Sequence, residues 1–135
     1  MKVLIETNII LDVLCKRPEF YEDAARIFKL CEVKKITGVV SALSIPNIVY
    51  IMRKELDAEK TKEILRNLSV IFTIADLRAD DLKKAADMNF KDYEDAVQSA
   101  CAARIKANYI VTRNIKDFTE SKVATIKPSE LFDRI

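Results

Sequence analysis

The sequence predicts an α/β fold: a three-layer α/β/α sandwich around a central, mainly parallel sheet of about five strands. Three observations predict it. Short apolar runs recur without the polar alternation of a half-solvated strand, as expected of strands covered on both faces. Longer stretches with helical spacing separate them, which implies right-handed βαβ crossovers and a parallel sheet. The connections after the first and second strands run to about 28 to 30 residues, enough for two helices each.

The elements follow in chain order. Val3-Leu4-Ile5 is the first strand, and Thr7-Asn8 behind it can open a helix. Ala24, Ile27, Phe28 and Cys31 share one helical face. Ile36 to Ser41 is the second strand, followed by a helical stripe of Ile48, Ile51 and Met52. Val70-Ile71-Phe72-Thr73-Ile74 reads as the third strand. Ala96, Val97, Ala100, Cys101 and Ile105 then form the longest stripe. Tyr109 to Thr112 and Val123 to Ile126 supply strands four and five. Each stripe is expected to pack into the core.

Composition narrows the function. With 50% hydrophobic residues, 33% charged residues and no break in composition, residues 1–135 are expected to form one domain with a real core. A single glycine, Gly38, excludes a glycine-rich phosphate loop. The absence of histidine excludes imidazole acid–base chemistry and His-containing zinc sites. A net charge of +2, from 23 basic and 21 acidic groups, provides no global field for a polyanion, so any nucleic-acid contact must be a local patch. Cys15, Cys31 and Cys101 form no CxxC pair and are expected as buried small hydrophobes in a reducing cytoplasm. No run of 18 residues lacks charge, so a soluble protein with no membrane span is expected.

In a parallel α/β sheet, ligands sit beyond the carboxyl ends of the strands. Acids gather there. Glu6 follows the first strand, Asp117 follows the fourth by a short polar loop, and Asp92 and Asp95 open the helix that feeds the fourth. Carboxylates drawn into one cleft repel one another unless a cation neutralises them. Hard oxygen donors without histidine or thiolate favour Mg²⁺ or Mn²⁺, which can activate water at a phosphodiester. Asp92 also suits a plain N-cap role. Arg53 and Arg113, with Lys16, Arg17, Lys54 and Lys116, are the nearby cations for phosphate contacts. A rival assignment is a phosphorelay receiver using Asp76, Thr112 and Lys127-Pro128. It lacks the adjacent acids a receiver needs at the first strand and leaves Asp95 and Asp117 unemployed.

Three segments resemble the PIN domain family, small metal-dependent ribonucleases that include VapC-like toxins. Leu4-Ile5-Glu6-Thr7-Asn8-Ile9-Ile10-Leu11-Asp12 resembles its strand-plus-"DTN" opening. Asp92-Tyr93-Glu94-Asp95-Ala96-Val97-Gln98-Ser99-Ala100 resembles its third acidic motif, and Tyr109 to Phe118 its "vTrN…DF" motif. The resemblance covers essentially the whole chain. It implies a PIN-like fold, a metal site of Glu6, Asp95 and Asp117 joined by Asp92, and support from Asn8, Thr112 and Asn114. It also implies Mg²⁺- or Mn²⁺-dependent cleavage of single-stranded RNA or tRNA, an antitoxin partner and a homodimer.

Two positions depart from the family pattern. Glu6 stands where aspartate is usual, and Asn47 stands where a glutamate is usual. An amide oxygen can ligate a hard cation but brings no charge. These departures make a PIN-fold module that binds RNA or protein without cleaving it the main alternative.

Overall fold

The protein is described by a computed structural model covering residues 1–135. Its elements are β1 (Lys2–Ile5), α1 (Thr7–Leu14), α2 (Tyr21–Glu32), β2 (Thr37–Ser41), α3 (Ser44–Ile51) and α4 (Ala58–Ile71). There follow β3 (Thr73–Ala75), α5 (Ala79–Ala86), α6 (Tyr93–Arg104), β4 (Tyr109–Val111), a 3-10 turn (Ile115–Phe118), β5 (Thr125–Ile126) and α7 (Pro128–Phe132). The sheet order is β3-β2-β1-β4-β5, and every neighbouring pair is parallel. As the long connections after β1 and β2 imply, helix pairs fill those two crossovers, and α5 and α6 fill the third as well.

Side chains alternate across the strands and are buried on both faces. Val3, Ile5, Val40, Val111 and Ile126 pack with Ile9, Ile10, Ala24, Ile27, Ile48, Leu68 and Leu131, which puts α1–α4 and α7 against one side. Leu4, Val39 and Ile110 face the other side, against Cys101 and Ala102 of α6 and Phe118 of the 3-10 turn. Helix α5 packs on α6 through Ala85, Ala96 and Val97. The sandwich therefore has its three layers.

Gly38 sits where helices crowd β2. A Cβ there would collide with Cys31 Sγ and come within 2.9 Å of Phe72 Cδ1. The one glycine is thus a packing requirement rather than a turn.

Several sequence expectations need correction. Val70 and Ile71 belong to the end of α4, and β3 starts only at Thr73. The fifth strand is Thr125–Ile126, without Val123 and Ala124. Ile51 is 49% exposed, because α3 ends at the rim of the crevice described below rather than under another layer. Cys15 is exposed just past the end of α1, whereas Cys31 and Cys101 are buried. No helix is long and apolar enough to cross a membrane.

The strand order also removes the receiver assignment. A receiver-type sheet, order 2-1-3-4-5, sets β3 beside β1. Here β3 is an edge strand with β2 between it and β1. Asp76, past its end, is engaged by Arg78 Nε at 2.8 Å and Arg104 Nη1 at 3.2 Å, and these guanidiniums hold its carboxyl below the usual range.

Candidate metal centre

The order of strand succession reverses between β1 and β4, the position where doubly wound folds open a crevice beyond the strand ends. Glu6 leaves β1 there and Thr112 leaves β4. The crevice, about 210 Å³, is lined by Glu6, Asp92, Glu94 and Asp95 together with Thr7, Asn8, Asn47 and Gln98. Leu11, Tyr50 and Ile51 complete the wall. Four carboxylates face this space, and no lysine or arginine lines it.

Glu6 is buried to 4% exposure and caps α1. Its Oε2 accepts from the Asn8 backbone N–H at 2.7 Å, and its Oε1 accepts from Thr112 Oγ1 at 3.1 Å. Burial raises its pKa, while the bonds from Asn8 and Thr112 and the charge of Arg113 oppose the rise. Thr112 Oγ1 also accepts from the Asn114 backbone N–H at 3.0 Å, so it braces the β4 loop against Glu6.

Asp95 lies in the first turn of α6 and is half-buried. Burial pushes its carboxyl up to about 7, and the charges of Asp92, Glu6 and Asp117 push the same way. Asp92 is the α6 N-cap, accepting from the Glu94 N–H at 3.2 Å, and is near enough for its charge to act on Asp95. Its cap role and its place in the crevice coexist.

Asp117 is exposed on the 3-10 turn, whose Phe118 is locked into the core edge-on to Phe90. It lines an adjoining groove with Arg113, Asn114, Lys116, Lys127 and Glu130, not the crevice of Glu6 and Asp95. Its charge nevertheless reaches Asp95. Asn47 lies in the crevice, where its Nδ2 donates to Glu94 Oε2 at 3.1 Å.

Neither arginine expected on RNA phosphates lines the crevice, and each is held by other protein groups. Arg113 Nε and Nη2 donate to the wholly buried Asp12 at 3.0 and 3.2 Å, and its guanidinium stacks 3.9 Å above the Phe20 ring. Arg53 stacks on Tyr50 at 4.2 Å and donates to the Tyr50 carbonyl, outside the crevice lining.

Sequence reasoning missed Asp12, Glu94, Ser44 and Gln98. Asp12 was detectable as the one charge within an apolar helix, Ile9-Ile10-Leu11-Asp12-Val13-Leu14, and Gln98 as the one amide in the buried run from Ala96 to Ala102.

The donor chemistry fits a hard divalent cation. It is all oxygen and strongly acidic, and Asp95, raised first by burial and then by the charges of Asp92, Glu6 and Asp117, bears a charge that a cation would compensate. The ligands are not gathered in advance. No three acidic side chains stand together at ligating geometry, and both Glu6 oxygens are turned to Asn8 and Thr112.

The sequence profile of the PIN domain matches residues 2–116. The chain belongs to the PIN domain family. No curated protein matches it in sequence. Solved structures share the PIN fold at low identity. The VapBC2 complex of Rickettsia felis, bound to a DNA fragment from its promoter, matches with a TM-score of 0.72 and 18% identity over 94% of this chain and 98% of the other. A toxin–antitoxin complex from Klebsiella pneumoniae matches at 0.69 and 19% identity, covering 93% and 97%. A DNA-bound VapBC from Salmonella typhimurium matches at 0.71 and 14% identity, covering 95% and 98%.

Proposed function

We propose that this PIN domain is an endoribonuclease dependent on Mg²⁺ or Mn²⁺, and that it serves as the VapC-like toxin of a toxin–antitoxin pair. The observation that carries the reading is a crevice at the point where the strand order reverses, with four carboxylates and no basic residue, in which burial, aided by the neighbouring acids, lifts Asp95 to about 7. Such a wall repels bare RNA and attracts a cation. When bound, a divalent ion supplies Lewis acidity at the scissile phosphate and lowers the pKa of a bound water.

The chain's own residues hold that ion and orient it. Asp95, Glu6 and Asp92 are the ligands of the crevice, with Asp117 adding its charge from the adjoining turn. Thr112 fixes the carboxylate plane of Glu6 from β4, and the Asn8 N–H fixes it from α1. Glu94, beside Asn47, provides the negative charge that the amide at position 47 lacks. RNA phosphates fall to Lys116 and Lys127 of the groove next to Asp117, since Arg113 is committed to Asp12. Residues 1–135 act as one cytoplasmic domain, paired as a homodimer and silenced by an antitoxin like those in the VapBC complexes it resembles.

The test is cleavage of single-stranded RNA and tRNA with Mg²⁺ or Mn²⁺. The native chain is expected to cleave and Asp95→Asn to lose about 100-fold or more. Cleavage unchanged by Asp95→Asn would place the chemistry elsewhere.

A second reading, a PIN module that binds without cleaving, is favoured by one observation: both oxygens of Glu6 are occupied within the protein. Under it, the native chain is inert, and Glu6→Asp, with a shorter reach that frees the carboxylate, restores cleavage.

A further inference from the structure

At the floor of the crevice, which Thr7 and Gln98 help to line, lies a hydrogen-bonded group that the proposed chemistry does not use. Gln98 Nε2 donates to Ser44 Oγ at 2.8 Å and to Thr7 Oγ1 at 3.1 Å, and the two hydroxyls are 2.7 Å apart. Gln98 is 2% exposed and Ser44 is wholly buried. The three come from α6, α3 and the start of α1, elements far apart in the sequence.

Each member adjoins one residue of the crevice. Thr7 directly follows Glu6. Ser44 precedes Asn47 by three residues, on the same face of α3. Gln98 follows Asp95 by three residues, on the same face of α6. The group therefore joins the three walls that carry Glu6, Asn47 and Asp95.

The amide is also poorly satisfied. Gln98 Oε1 is sealed from solvent and has no hydrogen-bond partner. Turned over, the amide would accept one hydroxyl proton at most, because the 2.7 Å contact between Ser44 and Thr7 consumes the other, so one bond would stand where the amide nitrogen now makes two. A residue serving only the core would be better replaced by an apolar one of the same length, because a buried unpaired acceptor is unfavourable.

We propose that Gln98 is a positioning residue, which through Ser44 and Thr7 sets the spacing of Asn47, Glu6 and Asp95 for the divalent ion. This rests on the metal-dependent reading above. Mutations of residues that orient metal ligands typically weaken metal binding by about 10- to 100-fold.

The experiment is Mn²⁺ titration by calorimetry and thermal melting of the metal-free protein, for the native chain, Gln98→Met and Ser44→Ala. Gln98→Met removes the orphaned acceptor and leaves the two hydroxyls paired, so its metal-free Tm is expected to hold or rise. Its Mn²⁺ Kd is expected to rise about tenfold or more, with a smaller rise for Ser44→Ala. Native binding with an unchanged Kd in a folded Gln98→Met overturns the positioning role alone. A lower Tm with an unchanged Kd does the same and marks Gln98 as a packing residue. No Mn²⁺ binding by the native chain overturns both this proposal and the metal-dependent reading. If Gln98→Met does not fold, Ser44→Ala decides by the same comparison.

Discussion

Asp12 has no solvent exposure, yet it answers two arginines. Arg17 Nη1 donates to its Oδ1 at 3.1 Å while also reaching Asn8 Oδ1 at 3.2 Å, and Arg113 forks onto both oxygens. One carboxylate thereby ties the loop after β4 to the helix after β1, one turn beyond Asn8 of the crevice wall. Removing one partner of a buried ion pair leaves an uncompensated charge, so Asp12→Ala is expected to lower unfolding free energy by about 3 kcal/mol in urea titration. Arg113→Lys keeps the charge and loses the fork. It should therefore destabilise the protein while leaving the salt dependence of RNA binding unchanged. Lys127→Ala should do the reverse, reducing that slope by about one phosphate contact with little effect on stability. A flattened salt slope in Arg113→Lys would return Arg113 to the RNA surface.

At the scale of elements, close packing makes its own prediction. Gly38 lets β2 pass beneath Cys31 and Phe72, and Phe72 is held edge-on to Phe28 at 4.9 Å. Gly38→Ala would drive a methyl group into these side chains. Overpacking of this kind costs about 1–3 kcal/mol, to be read as a lowered urea midpoint. Much of this architecture was legible in the sequence, because strands buried on both faces leave continuous apolar runs and helices leave stripes. The errors fall where those signals merge. Val70 and Ile71 end a helix that runs almost directly into a strand, so both elements contribute to one apolar run. Glu6, Asp92 and Asp95 were legible because strand ends and helix starts mark the crevice. The role of Arg113 was not, since its partner Asp12 lies 101 residues away and nothing local signals the pair. Glu94 stayed hidden for a similar reason, as its link to Asn47 spans 47 residues.

For the molecule as a whole, the crowded crevice couples stability to both pH and cation. Asp95 titrates near 3.8 when unfolded and at about 7 when folded, so over that interval the folded chain holds more protons than the unfolded one. Stability from this group is therefore greatest at the acidic end of the interval and falls as pH rises through it. Glu6, also raised by burial, acts in the same direction. Asp76, lowered by its arginines, acts oppositely and only at more acidic pH, where its protonation weakens the fold. In chelator, the melting temperature is thus expected to decline between about pH 5 and pH 7.5. A divalent ion reverses the decline by replacing the proton as the compensating charge, so Mn²⁺ should stabilise the protein more at pH 7.5 than at pH 5. Binding near pH 7 should release protons from Asp95, measurable by calorimetry in two buffers of different ionisation enthalpy. Asp95→Asn should abolish both the proton release and most of the decline, and should make the metal-free protein more stable than the native chain at pH 7.5. A melting temperature that is level across this range, and equally indifferent to Mn²⁺ at either end, would mean that these carboxylates do not share one electrostatic site.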